Sequence, residues 1–437
     1  MDNAEARALS LRAAQEGLVL LQNKPVQDED EDEDEGEGEG EGEGEGEGEG
    51  EPLLPLKQGL KLAWIGPHAN STQSLLSNYH GSNTLVDSHS PLLAAQAAGL
   101  TVTYARGCNI CDFPYSKNPG FPNNPCPVGK AVDKSGFAAA VAAAKAADVA
   151  VLFIGSDQTT EAENYDRFNI TLAGVQEELV AAVVAANPKT VVVLINGGPL
   201  AIESVKETVP AIIEAFYPGQ LGGDAIVDLL TGKVNNFGKM PMTTYFQNFT
   251  QRDVRDVDLS HGTGITYRHF DAPVLWPFGF GLSYTTFSYK WSDGLSSSAP
   301  PLRIGTAEQA TTDHEVEVTN TGAVAGDCVV LAFAAADENY QGTNKDAAGA
   351  PLKKMFGFQR LQNMAPGEKR TVLFSSTAED LSVVDAGGSR WLKPRRAWIE
   401  IGDVAAPARR ELVIEGEDRL LEAAGTWAEA AVEYLAK

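Results

Sequence analysis

One segment, DVAVLFI at residues 148–154, is apolar at every position after the first. A strand with two apolar faces belongs inside a parallel sheet that is covered on both sides. Two more apolar stretches follow at 190–195 and 211–216. Between 154 and 190, apolar residues recur at helical spacing, namely Val175, Leu179, Ala182, Val183 and Ala186. This alternation of strands and helices predicts an α/β domain.

The same pattern extends in both directions along the chain. Further helices are predicted at 4–15, 134–147 and 222–230, and further strands at 61–65 and 101–105. Parallel strands joined by helices need right-handed crossovers that place helices on both faces of the sheet. We therefore expect residues 1–290 to form a three-layer α/β/α sandwich with a mostly parallel sheet. Its last part, 232–295, is rich in aromatic and turn residues and is predicted to be a trailing segment and linker.

From about residue 300 onward, the predicted strands follow one another without helices. They lie at 314–319, 329–334, 370–374 and 397–401. Turn residues such as Asn320-Thr321-Gly322 separate them. Short strands with this spacing are typical of a β-sandwich. We expect an all-β, immunoglobulin-like sandwich over residues 300–420, followed by a carboxyl-terminal tail at 421–437.

Acidic residues are concentrated in one low-complexity segment. Residues 28–51 contain 16 of the 60 acidic side chains and no basic one, whereas the whole chain has a formal net charge of −26. A run of like charges alternating with glycine cannot bury enough apolar surface to order itself, so we expect a disordered surface insertion. Carboxylates are also calcium ligands, although nothing in this run fixes their geometry. Because basic residues form no stripe, nucleic acid is not an expected partner.

Several sequence features bear on the location of the protein. No apolar run approaches the roughly 20 residues needed to cross a bilayer, so we expect no membrane partner. The start, MDNAEARALSLRAAQ, lacks the basic and apolar regions of a signal peptide. Three N-glycosylation triplets, at Asn70, Asn169 and Asn248, nevertheless suit a secretory relative.

Metal and cofactor signals are weak. One stretch rich in Pro, Gly and Asn contains Cys108, Cys111 and Cys126. A zinc site would need a fourth ligand, and Cys328 is far away in the sequence. We therefore favour a disulfide or free thiols over a zinc site. The six histidines show no metal-ligand spacing, and no Gly-rich segment has the pattern of a phosphate loop. We expect neither a metal nor a cofactor.

The loops that follow the predicted strands are the places to look for a site, because open parallel sheets bind ligands beyond the carboxyl ends of their strands. The candidates are GPHAN at 66–70, GSDQTTEAENYDR at 155–167 and NGGP at 196–199. The second contains most of the titratable groups, namely Asp157, Glu161, Glu163, Asp166 and Arg167. Such a loop suits general acid/base chemistry, but the same composition is common on a solvated surface, and the residue pattern alone leaves both alternatives open.

Several motifs resemble those of family 3 glycoside hydrolases, especially the β-xylosidase/α-L-arabinofuranosidase branch. They are AQEGLVLLQN (14–23), LAWIGPHAN (62–70), LLSNYHG (75–81), SDQTTEAENYDR (156–167), INGGPL (195–200), YPGQLGGDAIVDLLTGKVNNFGKMP (217–241) and WPFGFGLSYTTF (276–287). The later motifs VTNTG (318–322), APLKKMFGF (350–358), PGEKR (366–370) and DLSVVD (380–385) resemble the fibronectin type III-like domain that ends many members.

The resemblance implies a retaining glycosidase whose site is shared by two domains. An aspartate nucleophile lies on a (β/α)8 barrel, and the general acid/base glutamate comes from a loop of the α/β sandwich. The loop motif places this acid/base at Glu163, with Glu161 as the second choice. Asp157, Gln158, Asp166 and Arg167 then correspond to residues that shape the loop or line the sugar site.

The resemblance covers only the carboxyl-terminal two-thirds of the family's pattern. A barrel takes roughly 250 residues, and no part of this chain matches it or its nucleophile. We therefore expect a part of an enzyme that removes β-xylosyl or α-L-arabinofuranosyl residues from oligosaccharides of plant-type cell walls, inactive without a barrel supplied in trans or by fusion. The full-length relative is expected to be extracellular or in the secretory pathway. The alternative is a non-catalytic module that binds carbohydrate or protein.

Overall fold

The apolar strands of the first half of the chain lie side by side in one six-stranded sheet. The computed structural model describes residues 3–26, 50–76, 88–111, 133–162, 167, 169–253, 255–292, 302–305, 311–336, 351–385 and 387–425. These residues group into two compact units, the first within 1–240, 244–251 and 281–284, and the second within 241–243, 252–280 and 285–437.

The strands of the first unit are β1 (Val19–Asn23), β2 (Lys61–Ile65), β3 (Thr101–Ala105), β4 (Val149–Gly155), β5 (Thr190–Ile195) and β6 (Ala211–Glu214). Their order in the sheet is β1-β6-β5-β4-β2-β3. All neighbours are parallel except β1, which runs antiparallel to β6. The prediction of a mostly parallel sheet is therefore confirmed.

The helices of the first unit are α1 (Ala4–Gly17), α2 (Pro91–Ala97), α3 (Phe137–Lys145), α4 (Gln176–Val184), α5 (Glu203–Thr208) and α6 (Gly222–Leu230). Helices α1 and α2 pack against α6, whereas α3 and α5 pack against α4. Buried residues of α1, α2 and α6 share one core cluster with alternate residues of the strands, including Trp64, Val151 and Phe153. Because strand side chains alternate between faces, the other fully buried strand residues face the second helical layer. The chain therefore forms the predicted α/β/α sandwich.

Two of these helices, α2 and α5, have no counterpart among the predicted elements. They contain seven and six residues, which is too short for a helical period to emerge from the sequence. Helix α2 is fixed locally instead: the Ser90 hydroxyl accepts a hydrogen bond from the Leu93 N–H, and Pro91 occupies the first turn.

The second unit is mainly β. Its elements are α7 (Thr266–His269), β7 (Phe287–Trp291), β8 (Leu302–Gly305), β9 (Thr312–Asn320), β10 (Gly326–Ala336), β11 (Lys353–Met364), β12 (Lys369–Ser376), β13 (Val383–Val384), β14 (Arg390–Leu392), β15 (Arg395–Gly402), β16 (Ala408–Glu415) and β17 (Arg419–Glu422). They form sheets with the orders β11-β10-β15-β16-β8, β12-β9-β7 and β13-β14-β17. Every pair is antiparallel except β8 and β16.

Alternating side chains build the core of this second unit. Val316 and Val318 of β9 and Val372 and Phe374 of β12 are buried, while their neighbours along each strand are more exposed. They share a core cluster with residues of β10, β15 and β16. The prediction of an all-β sandwich is confirmed. Strand β7 lies in the stretch predicted as a linker, and its pairing with β9 was not predicted.

The cysteines divide into two kinds. Cys111 is disulfide-bonded, while Cys108 and Cys328 are buried thiols. Cys126 lies outside the described residues. Across the described part of the chain, no helix has the length and apolar character to span a membrane. Within the same residues, no group of three or more His, Cys, Asp or Glu side chains is arranged to hold a metal ion.

The described residues on either side of the acidic segment lie close together. Pro25 and Pro52 form an isolated antiparallel bridge. The Asn23 side chain donates to the Leu54 carbonyl oxygen at 2.8 Å and accepts from the Leu54 N–H at 3.0 Å. Residues 27–49, which include most of the acidic segment, lie outside the described residues. The described residues that flank the acidic segment are thus held together by contacts of Asn23, Pro25, Pro52 and Leu54.

We predict that replacing residues 28–51 by a Gly-Ser linker of about four residues leaves the fold intact. Closing a loop costs about (3/2)RT ln n, so shortening it from 24 to roughly four residues should raise the free energy of unfolding by at most about 1.6 kcal/mol. Thermal and denaturant melts of the two proteins measure this change. A large loss of stability would show that the acidic segment binds something structural.

Candidate functional site

The carboxyl ends of β2, β4, β5 and β6 meet at one edge of the parallel sheet, and the loops that leave them carry the polar side chains of the candidate site. The loop that leaves β4 starts at Gly155, where the backbones of β4 and β5 pack closely. Gly155 has φ 142°, and a Cβ atom there would lie 2.0 Å from the Ile195 carbonyl oxygen. Only glycine fits such a position. The Gln176 side-chain amide, fully buried, then exchanges two hydrogen bonds with the Gly155 backbone at 2.9 Å each.

The Glu161 carboxylate is the point where three of these loops meet. It accepts hydrogen bonds from the Gly197 N–H at 2.5 Å and the Gly198 N–H at 3.2 Å. The Tyr217 hydroxyl donates to the same carboxylate, and Arg167 Nη2 lies 3.7 Å from its Oε2. The side chains of Glu161 and Arg167 are only 15% and 17% exposed. We call these five residues the Glu161 clamp.

The two glycines of the clamp are required by its packing. A Cβ atom at Gly197 would lie 2.7 Å from the Tyr217 ring, and one at Gly198 would lie 2.3 Å from Arg167 Nη2. The Arg167 guanidinium also donates to the Pro199 carbonyl oxygen at 3.3 Å. The segment NGGP therefore has a close-packing role, with no sign of a phosphate loop.

A tight turn presents Glu161 to the clamp. The Asp157 carbonyl oxygen accepts from the N–H groups of Thr160 and Glu161, each at 2.9 Å. The Asp157 side chain accepts from the Thr159 N–H at 2.8 Å, and Thr160 is buried beneath the turn. Both the main chain and the side chain of Asp157 therefore form hydrogen bonds within the turn and shape the loop.

Two neighbouring groups are held neutral by burial. Burial lowers the pKa of His68 to about 4, although the carboxylates of Asp157 and Glu161 oppose this shift. Burial, followed by the nearby Glu161 carboxylate, raises the pKa of the Tyr217 hydroxyl, so that Tyr217 remains a hydrogen-bond donor. At neutral pH the edge therefore contains a neutral imidazole at His68 and a neutral phenol at Tyr217.

Glu214, at the carboxyl end of β6, is a second buried acid. Burial raises its pKa to about 8. Hydrogen bonds from the Phe216 N–H and the Asn196 side chain work against this rise, and Glu161 contributes to it. Glu214 is 4% exposed, and a pKa of about 8 favours its protonated form at neutral pH.

The structure brings only some of the predicted site residues together. Glu161 and Arg167 meet in the clamp, and Asp157 and the half-buried Gln158 form the turn before it. Glu163 and Asp166 lie outside the described residues. Neither Tyr217 nor Glu214 was singled out from the sequence. Tyr217 directly follows the predicted strand 211–216, the position that identified the other loops, whereas Glu214 lies within that predicted strand and ends the observed β6.

Comparisons with known proteins agree with this architecture. Residues 49–284 match the model of the glycosyl hydrolase family 3 C-terminal domain, and residues 339–402 match a fibronectin type III-like domain. The α/β sandwich thus corresponds to the carboxyl-terminal domain of a glycoside hydrolase, and the β-sandwich after it corresponds to a fibronectin type III-like domain. The chain belongs to glycosyl hydrolase family 3.

Individual relatives are similar over most of this chain. The probable exo-1,4-beta-xylosidase bxlB of Aspergillus fumigatus is 32% identical over 97% of this chain and 50% of its own length. Beta-D-xylosidase 1 of Arabidopsis thaliana is 32% identical over 91% of this chain and 48% of its own. The solved exo-beta-xylosidase XlnD, in complex with a xylobiose aziridine probe, superposes with a TM-score of 0.75 at 28% identity over 97% of this chain and 50% of its own. The chain thus spans about half the length of these relatives.

We predict that Glu161→Ala destabilises the first unit. The change leaves the Arg167 guanidinium without its carboxylate and two backbone N–H groups without an acceptor, which should lower the free energy of unfolding by about 2 kcal/mol or more. Denaturant melts measure the loss. Glu178→Ala is the matched control, because Glu178 is 57% exposed and pairs with Lys134 at the surface, where an ion pair contributes little. Equal stability of the two variants would contradict the role of the clamp.

Proposed function

We propose that this chain supplies the general acid/base of a retaining glycoside hydrolase, and that Glu163 is this residue. The observation that carries the proposal is the Glu161 clamp. The Glu161 carboxylate is engaged by two backbone amides, a phenol and a guanidinium of its own chain, so it holds the loops together and is not presented to a substrate oxygen. Glu163 follows two residues later in the same motif, before Asp166 and Arg167.

The proposed reaction needs a second carboxyl group. Retaining glycosidases place their two carboxyl groups about 5–5.5 Å apart, one as nucleophile and one as acid/base. We propose that the nucleophile belongs to a (β/α)8 barrel domain that joins this chain by fusion or in trans. In this arrangement Asp157, Gln158, Asp166 and Arg167 shape the loop or line the sugar site.

We further propose that the substrates are oligosaccharides of plant-type cell walls that carry terminal β-xylosyl or α-L-arabinofuranosyl residues. The names of the xylosidase relatives support the β-xylosyl residue. The sequence motifs support both the β-xylosyl and the α-L-arabinofuranosyl residue. The full-length protein is proposed to work outside the cell or in the secretory pathway. Asn248, which begins one of the glycosylation triplets, is exposed, as this location would require.

We predict that the 437-residue chain alone does not hydrolyse aryl β-xylosides, α-arabinofuranosides or β-glucosides, because catalysis needs both carboxyl groups. Release of the aryl alcohol measures this. Turnover that co-purifies with the chain and disappears in Glu163→Ala would refute the proposed division of the site. Binding of xylo-oligosaccharides without hydrolysis, even after a barrel is supplied, would instead favour a non-catalytic carbohydrate-binding module.

With the barrel of a family member fused ahead of residue 1, we predict that Glu163→Ala lowers kcat/KM on xylo-oligosaccharides by about 10²–10⁴-fold, the usual contribution of general acid catalysis. The kcat/KM for dinitrophenyl xyloside should fall much less, because the leaving group of this substrate needs little protonation. Glu161→Ala is the comparison variant. It should lower the activity on both substrates by a similar factor, because it disrupts the fold of the loop. A selective loss in Glu161→Ala and not in Glu163→Ala would assign the acid/base to Glu161.

A further inference from the structure

The side-chain amide of Gln176 takes the place of a neighbouring strand at the end of β4. The register of β2 with β4 ends at Leu152, whereas Gly155 lies opposite Ile195 of β5. The Ser156 N–H donates to the Ile195 carbonyl oxygen at 2.9 Å, so the backbone groups of Gly155, the preceding residue, point to the other side of β4. There Gln176 Oε1 accepts from the Gly155 N–H, and Gln176 Nε2 donates to the Gly155 carbonyl oxygen, both at 2.9 Å. A side chain thus completes the hydrogen bonding that a strand would supply.

This contact has one possible orientation and is closed to water. Gln176 is 0% exposed, and Gly155 is buried as well. A reversed amide would place two donors together and two acceptors together, so only the observed orientation fits. An unpaired backbone N–H or carbonyl group at this depth is costly. The two backbone groups of Gly155 therefore depend on this side chain.

The same amide also closes the base of the loop that follows β4. Gln176 Nε2 donates a further hydrogen bond to the Ala173 carbonyl oxygen at 3.0 Å. Gly155 is the last residue of β4, and Ala173 precedes α4, which begins at Gln176. One side chain therefore ties the start of the loop to the segment that returns from it.

The glycine at the start of the loop needs this restraint. Gly155 has φ 142°, which glycine reaches freely and other residues rarely adopt. Glycine also loses more backbone freedom on folding than any other residue, so the chain direction at Gly155 must be held from outside. The turn that presents Glu161 begins two residues later, at Asp157. Its placement therefore follows from the direction that the chain takes at Gly155.

We propose that Gln176 is a positioning residue for the loop that follows β4. By holding Gly155 and Ala173 together, it sets where the turn at Asp157 lies relative to the sheet. The consequence for catalysis rests on the proposed function, because it requires that Glu163 in this loop is the acid/base. The contacts themselves belong to the folded chain and need no substrate.

Hydrogen–deuterium exchange of the 437-residue chain tests the placement of the turn. Gln176→Met keeps the length of the side chain and removes its hydrogen bonds to Gly155 and Ala173. Protection of the peptide that contains Thr160 and Glu161 should then fall by at least about tenfold, because the base of the loop is no longer closed. Unchanged protection in the folded variant would overturn the proposal.

Gln22→Met is the matched control. Gln22 is also buried, and its amide donates to the Val209 carbonyl oxygen, close to the amino end of β6 and away from the loop ends of the site. The control removes a buried glutamine amide as Gln176→Met does, but it should leave protection of the Thr160 and Glu161 peptide within about twofold of the unaltered chain. A fall equal to that in Gln176→Met would show a general loss of stability and overturn the proposal.

A measurement on the unaltered chain covers the case in which Gln176→Met does not fold. The Gly155 amide reports its contact with Gln176, and the Thr160 and Glu161 amides report the turn. If the contact places the turn, the three amides should open in one step, with corrected exchange rates within about twofold of one another in mild denaturant. Turn amides that exchange at least about tenfold faster than the Gly155 amide would overturn the proposal, since the turn would then move while its base stays closed.

In the barrel fusion, the leaving group separates positioning from a general loss of fold. A displaced acid/base impairs hydrolysis of xylo-oligosaccharides, whose leaving group needs a proton, more than hydrolysis of dinitrophenyl xyloside. Gln176→Met should therefore lower kcat on xylo-oligosaccharides at least about tenfold more than on the aryl substrate, whereas Gln22→Met should lower both alike. Equal losses in Gln176→Met would overturn the proposal. An unaltered fusion without activity would refute the proposed function and leave the exchange results standing.

Discussion

The carboxylate of Glu161 joins loops that follow three different strands of the parallel sheet. Its partners are the Gly197 and Gly198 amides after β5, the Tyr217 hydroxyl after β6, and Arg167 in its own loop after β4. Each of these donors is partly or wholly removed from water, where an unsatisfied group would cost about 1–3 kcal/mol. The shape of the site edge therefore depends on this one acceptor, and the absence of side chains at both glycines is what allows it to approach.

Burial decides the charge of the groups around this carboxylate. The imidazole of His68 is neutral because its pKa falls to about 4, and Glu214 is neutral near pH 7 because its pKa rises to about 8. A parallel sheet gathers the ends of several strands at one edge, so polar groups from distant parts of the sequence meet there. The raised pKa of Glu214 limits the number of negative charges near Arg167.

The sequence predicted the framework more fully than the site. The predicted strands 61–65, 101–105 and 190–195 coincide with β2, β3 and β5 residue for residue. Strand β5 is fully buried and β2 nearly so, which leaves a strong apolar signal, whereas β3 is a mostly exposed edge strand. The clamp was not predicted, since Glu161 meets Gly197 and Tyr217 across 36 and 56 residues and no local pattern encodes such pairing. The loop at 155–167 was identified as the candidate site, and the assignment of the acid/base to Glu163 remains a prediction from its motif.

The central claim is that Glu161 serves as a structural anchor and Glu163 as the acid/base. Azide rescue in a barrel-fused protein tests it most directly, because azide attacks the glycosyl-enzyme intermediate only when the catalytic acid/base has been removed and its space is open. The account predicts that Glu163→Ala with azide forms a β-configured xylosyl azide, identified by NMR, with faster turnover of an activated aryl xyloside. Glu161→Ala should form none. Azide product from Glu161→Ala, with none from Glu163→Ala, would contradict the account.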